Sequence, residues 1–159
     1  IGADFAICPD NTIHVPFGDI ERESPIPWIH IADAVADEAI ARGYQKLGIT
    51  GTKFLMTGPV YPSRLKPRSL AWEIPADQDR ERINDIIFGE LVNSVFTDAS
   101  RLYFNEVIQR LKDRGCDAVV LGCTEIPLLV DPTDCPLPVL DSTRLLARAA
   151  IRKAISGRP

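Results

Sequence analysis

The sequence predicts an α/β fold, a parallel sheet sandwiched by helices. Three observations carry that reading. Short apolar runs alternate with longer amphipathic ones along the whole chain. Two of the amphipathic runs close at glycine, Gly43 and Gly115, and an apolar run follows each within a few residues. That order of strand, helix, glycine and strand belongs to a parallel βαβ unit. The run Ala118–Gly122 (AVVLG) is apolar without alternation, as a strand covered on both faces must be.

The elements follow in order. Asp4–Cys8 (DFAIC) reads as a short buried strand that ends at the turn cluster Pro9-Asp10-Asn11. Trp28–Ile31 is a second strand, entered through Pro25 and Pro27. Asp33 to Arg42 is a helix that can bury Ala34, Val35, Ala39 and Ile40, and Gly43 stops it. Lys46–Thr50 (KLGIT) is a third strand. Phe54 to Pro67, with Gly58, Pro59, Pro62 and Pro67, reads as a short helix and then loop. Ala71–Ile74 reads as strand, and Asp77 to Phe88 as a charged helix with Ile83, Ile86 and Ile87 on one face. From Ser100 to Arg114 the residues Phe104, Val107, Ile108 and Leu111 fall at i, i+3, i+4 and i+7, one apolar stripe of a helix. After Ala118–Gly122 come a helix at Thr124–Leu129 and a strand at Val139–Leu140. A final helix, Ser142–Ile155, is capped by Asp141 or Ser142. No repeat of fixed period and no low-complexity linker interrupts this order.

Composition narrows the function. The chain has 159 residues, enough for a core without disulfide or metal staples. A net charge of −4 and a pI near 5.2 give no electrostatic footprint for nucleic acid. No apolar run is long enough to span a membrane. Ala3–Cys8 is flanked by Asp4 and Asp10, not by the basic region of a secretory leader. The four cysteines form no CxxC, and His14 and His30 are not near a cysteine pair, so neither a zinc site nor a disulfide framework is expected. The expected setting is cytoplasmic.

Ligands of open parallel sheets bind at the carboxyl ends of the strands. Here those ends read Pro9-Asp10-Asn11-Thr12, Thr50-Gly51-Thr52-Lys53, Gly122-Cys123-Thr124-Glu125 and Asp141-Ser142-Thr143. Such residues also serve as ordinary helix caps. Four such turns at strand ends suit a small polar substrate. Cys123 stands out, because a thiol just before a helix feels the positive end of its dipole, which lowers its pKa toward thiolate. There is no GxSxG, P-loop or GxGxxG.

Gly122 to Leu129 (GCTEIPLL) closely resembles the second signature of the aspartate/glutamate racemase superfamily. Ala3–His14 (ADFAICPDNTIH) resembles the first, and Lys46–Leu65 resembles the middle segment of its broad-specificity amino-acid racemases. The resemblance implies a Rossmann-like architecture of two pseudo-symmetric domains. Residues 32–138 would form the complete second domain. Residues 1–31 and 139–159 would be a remnant of the first, with roughly the first third of the family's chain missing. It implies a racemase that needs no metal, nucleotide or pyridoxal cofactor and acts on an acidic or related amino acid. Two residues on opposite faces of the substrate Cα remove and return the α-proton, exchanging acid and base roles. Carried over residue by residue, Cys123 is the thiolate base and Asp10 takes the place of the second thiol. Asn11, Thr12, Thr52 and Thr124 hold the substrate. Glu125 supports the site or binds the substrate amino group. The partner is then a small amino-acid substrate, with no nucleic acid and no membrane, and a homodimer is carried over from the family.

Three departures stand out. Asp10 occupies the family's first cysteine position, with Cys8 set back two residues. A carboxylate is a poorer base than a thiolate by about 4.6 pK units, roughly 6 kcal/mol. Asp10 is therefore expected to act as the acid, protonated when substrate is bound. Leu146 stands where the family often has histidine, and the upstream segment usually supplies an arginine near the site. Two other readings compete with the racemase. One is decarboxylation of a disubstituted malonate, with Cys123 protonating one face. The other is a non-catalytic binder of amino acids or carboxylates.

Overall fold

A computed structural model describes residues 2–156 of the chain. The outermost parts of the expected first-domain remnant, Ile1 and residues 157–159, lie outside the described residues.

The strands are β1 (Ala6–Ile7), β2 (Trp28–Ile29), β3 (Lys46–Thr50), β4 (Ala71–Glu73), β5 (Ala118–Leu121) and β6 (Val139–Asp141). All pairings are parallel. β1 and β2 form a two-stranded sheet, with Ala6 opposite Trp28. The others form a four-stranded sheet in the order β4-β3-β5-β6. The helices are α1 (Phe17–Glu23), α2 (Ile31–Ala41), α3 (Lys53–Thr57), α4 (Pro62–Leu65), α5 (Asp77–Gly89), α6 (Asp98–Asp113), α7 (Ile126–Leu129) and α8 (Ser142–Ser156).

The four-stranded sheet has helices on both faces, and β5 makes this explicit. Ala118 and Val120 point into one core with Val35 and Ala39 of α2 and Leu145 of α8. Val119 and Leu121 point into the other, with Ile83 and Ile87 of α5 and Phe104 and Ile108 of α6. A strand apolar at every position is the sequence form of that double burial. The stripe foreseen on α6 is fully buried: Phe104, Val107, Ile108 and Leu111 are each at most 1% exposed. α2 and α6 end as foreseen at left-handed glycines, Gly43 with φ 79° and Gly115 with φ 86°.

The structure differs from the sequence reading at several points. Phe17–Glu23 is a helix that the pattern did not announce, since only Phe17 among its residues is buried. Its ring stacks on His14 at 5.2 Å and meets His30 edge-on at 4.5 Å, so a tertiary contact holds the segment. The stretch expected as one short helix and loop holds two, α3 and α4, followed by a 3-10 turn at Lys66–Arg68. α7 begins at Ile126 rather than Thr124. The division placed after Pro138 falls inside a sheet, because β6 pairs with β5 from Val119–Val139 to Leu121–Asp141. No helix among the described residues is long and apolar enough to cross a membrane.

Candidate functional site

The carboxyl ends of β1, β3 and β5 converge on one cleft of about 320 Å³. All seven residues singled out from the sequence line it: Asp10, Asn11 and Thr12 after β1, Thr52 after β3, and Cys123, Thr124 and Glu125 after β5. Parallel strands all point their carboxyl ends the same way, so the turns that follow them meet. A second cleft of about 340 Å³, lined by Arg42, Asp141, Arg144 and Arg148 among others, contains none of the seven.

Buried hydrogen bonds lock the turns together. Asn11 donates from Nδ2 to Ser142 Oγ at 2.9 Å and accepts at Oδ1 from the Tyr61 hydroxyl at 2.7 Å. Ser142 passes its own proton to the Leu121 carbonyl at 2.9 Å. Asn11 is 3% exposed and Tyr61 is fully buried. Asn11 was expected to hold substrate. Most of its amide is already committed to tying the β1 turn to the large sheet, with one N–H left over. Thr12 and Thr52 bring their hydroxyls to 3.4 Å across the two sheets. Thr52 also caps α3 by accepting from the Leu55 N–H.

Asp10 is exposed, and its side chain accepts from the Ile13 N–H at 3.0 Å, fixing the carboxylate over the 3-10 turn Thr12–His14. His14 holds the backbone beneath it. Its Nε2 accepts from the Ile31 N–H at 3.2 Å, which leaves Nδ1 to donate to the Asp10 carbonyl at 2.8 Å. His30 accepts at Nδ1 from the Ala32 N–H and caps α2. Burial lowers both imidazoles below the usual histidine range. His30 falls to about 3, with the Arg64 charge as the next cause. Both rings are therefore neutral supports of the Asp10 turn. The sequence pattern gave no sign of this role, which depends on the His14–Phe17–His30 cluster.

Cys123 departs from the sequence expectation. Its thiol donates to Glu125 Oε2 at 2.9 Å, and its pKa is pushed up to about 12. Burial is the main cause, followed by that hydrogen bond; the Glu125 and Asp10 charges act the same way, while the Glu125 backbone N–H opposes them. The expected dipole is not available, because α7 has only four residues and starts three positions later. Glu125 moves the other way. Burial pushes its carboxyl up, but hydrogen bonds from Cys123 and Thr124 bring it below its ordinary value. The pair is thus a protonated thiol held against a carboxylate. Cys8, half-buried, is not among the cleft residues.

Sequence reasoning missed one wall of the cleft. Phe54 on α3, Ile87 and Phe88 on α5, and Val92 just beyond α5 make it apolar. Phe54 is 68% exposed, Phe88 51% and Val92 49%. The signal was present as exposed aromatics on otherwise amphipathic helices, but only the fold puts them at one cleft.

The comparisons agree with this architecture. The model of the family described as Asp/Glu/hydantoin racemase matches residues 1–150. The broad-specificity amino-acid racemase RacX of Bacillus subtilis is 24% identical over 153 residues. The match covers 94% of this chain and 64% of RacX, so the chain spans less than two thirds of that relative. A crystal structure from Yersinia pestis, provisionally classed as an Asp/Glu racemase, superposes with a TM-score of 0.91 at 37% identity, covering 97% of this chain and 67% of its own. PH1733, an aspartate racemase homologue from Pyrococcus horikoshii OT3, superposes with a TM-score of 0.87 at 34% identity, covering 97% and 68% respectively. Family model, relatives and fold converge: the chain belongs to the Asp/Glu/hydantoin racemase family.

Proposed function

We propose that this chain carries out cofactor-independent proton transfer at the Cα of an amino acid, with Cys123 as the principal proton-exchanging group. The observation that carries the reading is the Cys123–Glu125 pair, a thiol 2.9 Å from a carboxylate within the cleft formed by the strand ends. Asp10 lines the same cleft from the other sheet, near enough for its charge to act on the thiol.

The electrostatics suggest the order of events. A pKa near 12 is three units above the ordinary thiol value, so forming the thiolate costs at most about 4 kcal/mol more than in water. The α-ammonium of an amino acid, seated between Glu125 and Asp10, offsets this penalty, because a positive charge beside the sulfur favours its ionised form. Substrate binding thus activates the base. The proton displaced from the thiol passes to Asp10; the thiolate then takes the α-proton from one face of Cα, and Asp10, in the place of the second thiol, returns the proton it received to the other. The hydroxyls of Thr12, Thr52 and Thr124 stand ready for the α-carboxylate and for charge that develops on it during deprotonation. Asn11 acts mainly through its buried bonds to Ser142 and Tyr61, which keep Asp10 and Thr12 in register with β5.

The test is exchange of the α-proton in D₂O, followed by loss of the Cα–H resonance. Exchange is expected to fall by about 10³-fold or more in Cys123→Ser and to persist in Cys8→Ser, in line with loss of a positioned acid–base group. Equal exchange in Cys123→Ser and the unaltered chain refutes the assignment. Asp10→Cys, which restores paired thiols, is expected to speed racemisation.

A further inference from the structure

We infer that a second groove, behind the Asp10 turn, is a binding site for a phosphate monoester. It shares no residue with the strand-end cleft, and the inference holds whether or not that cleft transfers protons. The groove, of about 310 Å³, runs between the turn and helix that follow β1 and residues 59–64. Its polar groups are contributed by His30, Ser63 and Arg64, and Phe17, Pro59 and Val60 add apolar surface.

The first observation is the state of Arg64. Its guanidinium lies over the Phe17 ring, 5.5 Å from the centroid. That contact uses the face of the group and leaves its in-plane N–H bonds free. Asp33 Oδ2 stands 3.8 Å from Arg64 Nη1, beyond hydrogen-bond distance, while Asp33 Oδ1 lies 2.9 Å from Arg68. Among the described residues no acceptor takes a hydrogen bond from the Arg64 side chain.

The second is His30, which is only 4% exposed. Its Nδ1 accepts from the Ala32 N–H, so the proton of the neutral ring sits on Nε2. Among the described residues that N–H meets no acceptor, yet Nε2 is not one of the buried atoms sealed without a partner. The groove that His30 lines is where an incoming acceptor meets it. Ser63 Oγ donates to the Val60 carbonyl at 3.1 Å and can turn its proton to a ligand instead. The field at the His30 ring is positive, since the Arg64 and Arg68 charges both oppose its protonation. The carboxylates of this cluster, Asp33 and Asp37, are paired to Arg68 at 2.9 and 3.5 Å.

A guanidinium fork, an imidazole N–H and a hydroxyl suit a tetrahedral anion, whose oxygens point several ways, better than a planar carboxylate. The apolar surface of Phe17, Pro59 and Val60 receives the carbon part of the ester.

The experiment is an NMR titration of the 159-residue chain at neutral pH and low ionic strength, following the His30 ring and the Arg64 Nε–H. The probes are phenyl phosphate, inorganic phosphate and benzoate. Phenyl phosphate is expected to shift both resonances saturably and to bind about tenfold more tightly than either of the others. Arg64→Ala is expected to weaken its binding by about tenfold, and Arg64→Lys, which keeps the charge but not the fork, by about threefold. Arg148→Ala, in the cleft beside α8, removes an equal charge and is expected to change binding by less than about twofold. No saturable shift, or equal losses in Arg64→Ala and Arg148→Ala, overturns the inference. Benzoate binding as tightly as phenyl phosphate overturns phosphate as the recognised group, and inorganic phosphate doing so overturns the ester.

Discussion

Glu125→Gln isolates the interaction that governs the thiol. Glutamine keeps the size of the side chain and an oxygen within reach of Cys123 Sγ, but removes the charge. The Cys123 thiol stands near 12, three units above its ordinary value, with burial first and the Glu125 hydrogen bond second among the causes. Burial survives the substitution; the carboxylate does not. A unit charge about 4 Å away is worth about 4 kcal/mol at an effective dielectric constant near 20, an upper bound for a half-buried pair in contact with solvent. One pK unit, about 1.4 kcal/mol, is a conservative share of it. At a pH below both values the thiolate fraction then rises about tenfold. Intrinsic nucleophilicity falls with pKa, with a Brønsted slope near 0.4–0.5, so the net gain in alkylation rate is about threefold. The assay is iodoacetamide labelling at fixed pH, read at the Cys123 peptide by mass spectrometry so that Cys8, Cys116 and Cys135 do not contribute. An unchanged or slower rate refutes the claim that Glu125 keeps the proton on sulfur. If Glu125 also receives the substrate ammonium, KM for the amino acid rises in the same variant even as the thiol becomes more reactive.

Further predictions follow from the supports of the site. Asn11→Ala strands the buried Tyr61 hydroxyl and is expected to destabilise the chain by about 1–3 kcal/mol in urea unfolding. The double variant with Tyr61→Phe, which removes the orphaned hydroxyl, should lose less than the two single losses combined, and strict additivity would speak against the coupling. His30 has a folded-state pKa of about 3 against an unfolded value of 6.5, so the unfolded chain binds the proton preferentially. That contribution to stability is complete above pH 6.5 and is lost as pH falls, at up to about 1.4 kcal/mol per unit down to about 3. His30→Asn keeps a cap for α2 and should flatten the acid limb of a pH–stability profile relative to the parent; an identical limb excludes His30 as its source. Gly122→Ala would set a Cβ 2.6 Å from the Thr50 carbonyl and 2.4 Å from Leu55 Cδ2. The backbone contact cannot be relieved by trimming Leu55. A loss of about 1–3 kcal/mol and of proton exchange is expected, and Leu55→Ala should not restore it.

Several features were legible in the sequence because they depend on local chemistry. Hydrophobic period distinguished α6 from β5, and Gly43 and Gly115 marked where helices must stop. The parallel order of strands and helices requires the turns after β1, β3 and β5 to share one end of the fold, so the sequence alone groups Asp10, Thr52 and Cys123. GCTEIPLL placed the chain in its family. Helix α1 was not legible, because its formation rests on Phe17 reaching His14 and His30 rather than on its own pattern. The start of α7 is not legible either: Thr124 and Glu125 fit a first helical turn by pattern, but both line the cleft and the helix begins at Ile126.

The direction of the Cys123 shift shows most clearly where sequence stops. Position in the chain suggested a helix dipole and a lowered pKa. Desolvation and the Glu125 carboxylate, both set by packing, reverse the sign. The same division runs through the whole molecule. The order of residues determined the α/β class, the strand ends that meet and the presence of a thiol beside an acid. Tertiary structure alone decided how deeply that thiol is buried, that Asn11 is held by Tyr61 and Ser142, and that Phe54, Phe88 and Val92 line the same cleft. Periodicity and turn chemistry act over a few residues and survive in the sequence as pattern, whereas dielectric environment and cleft lining are sums over groups distant in the chain and exist only once it folds.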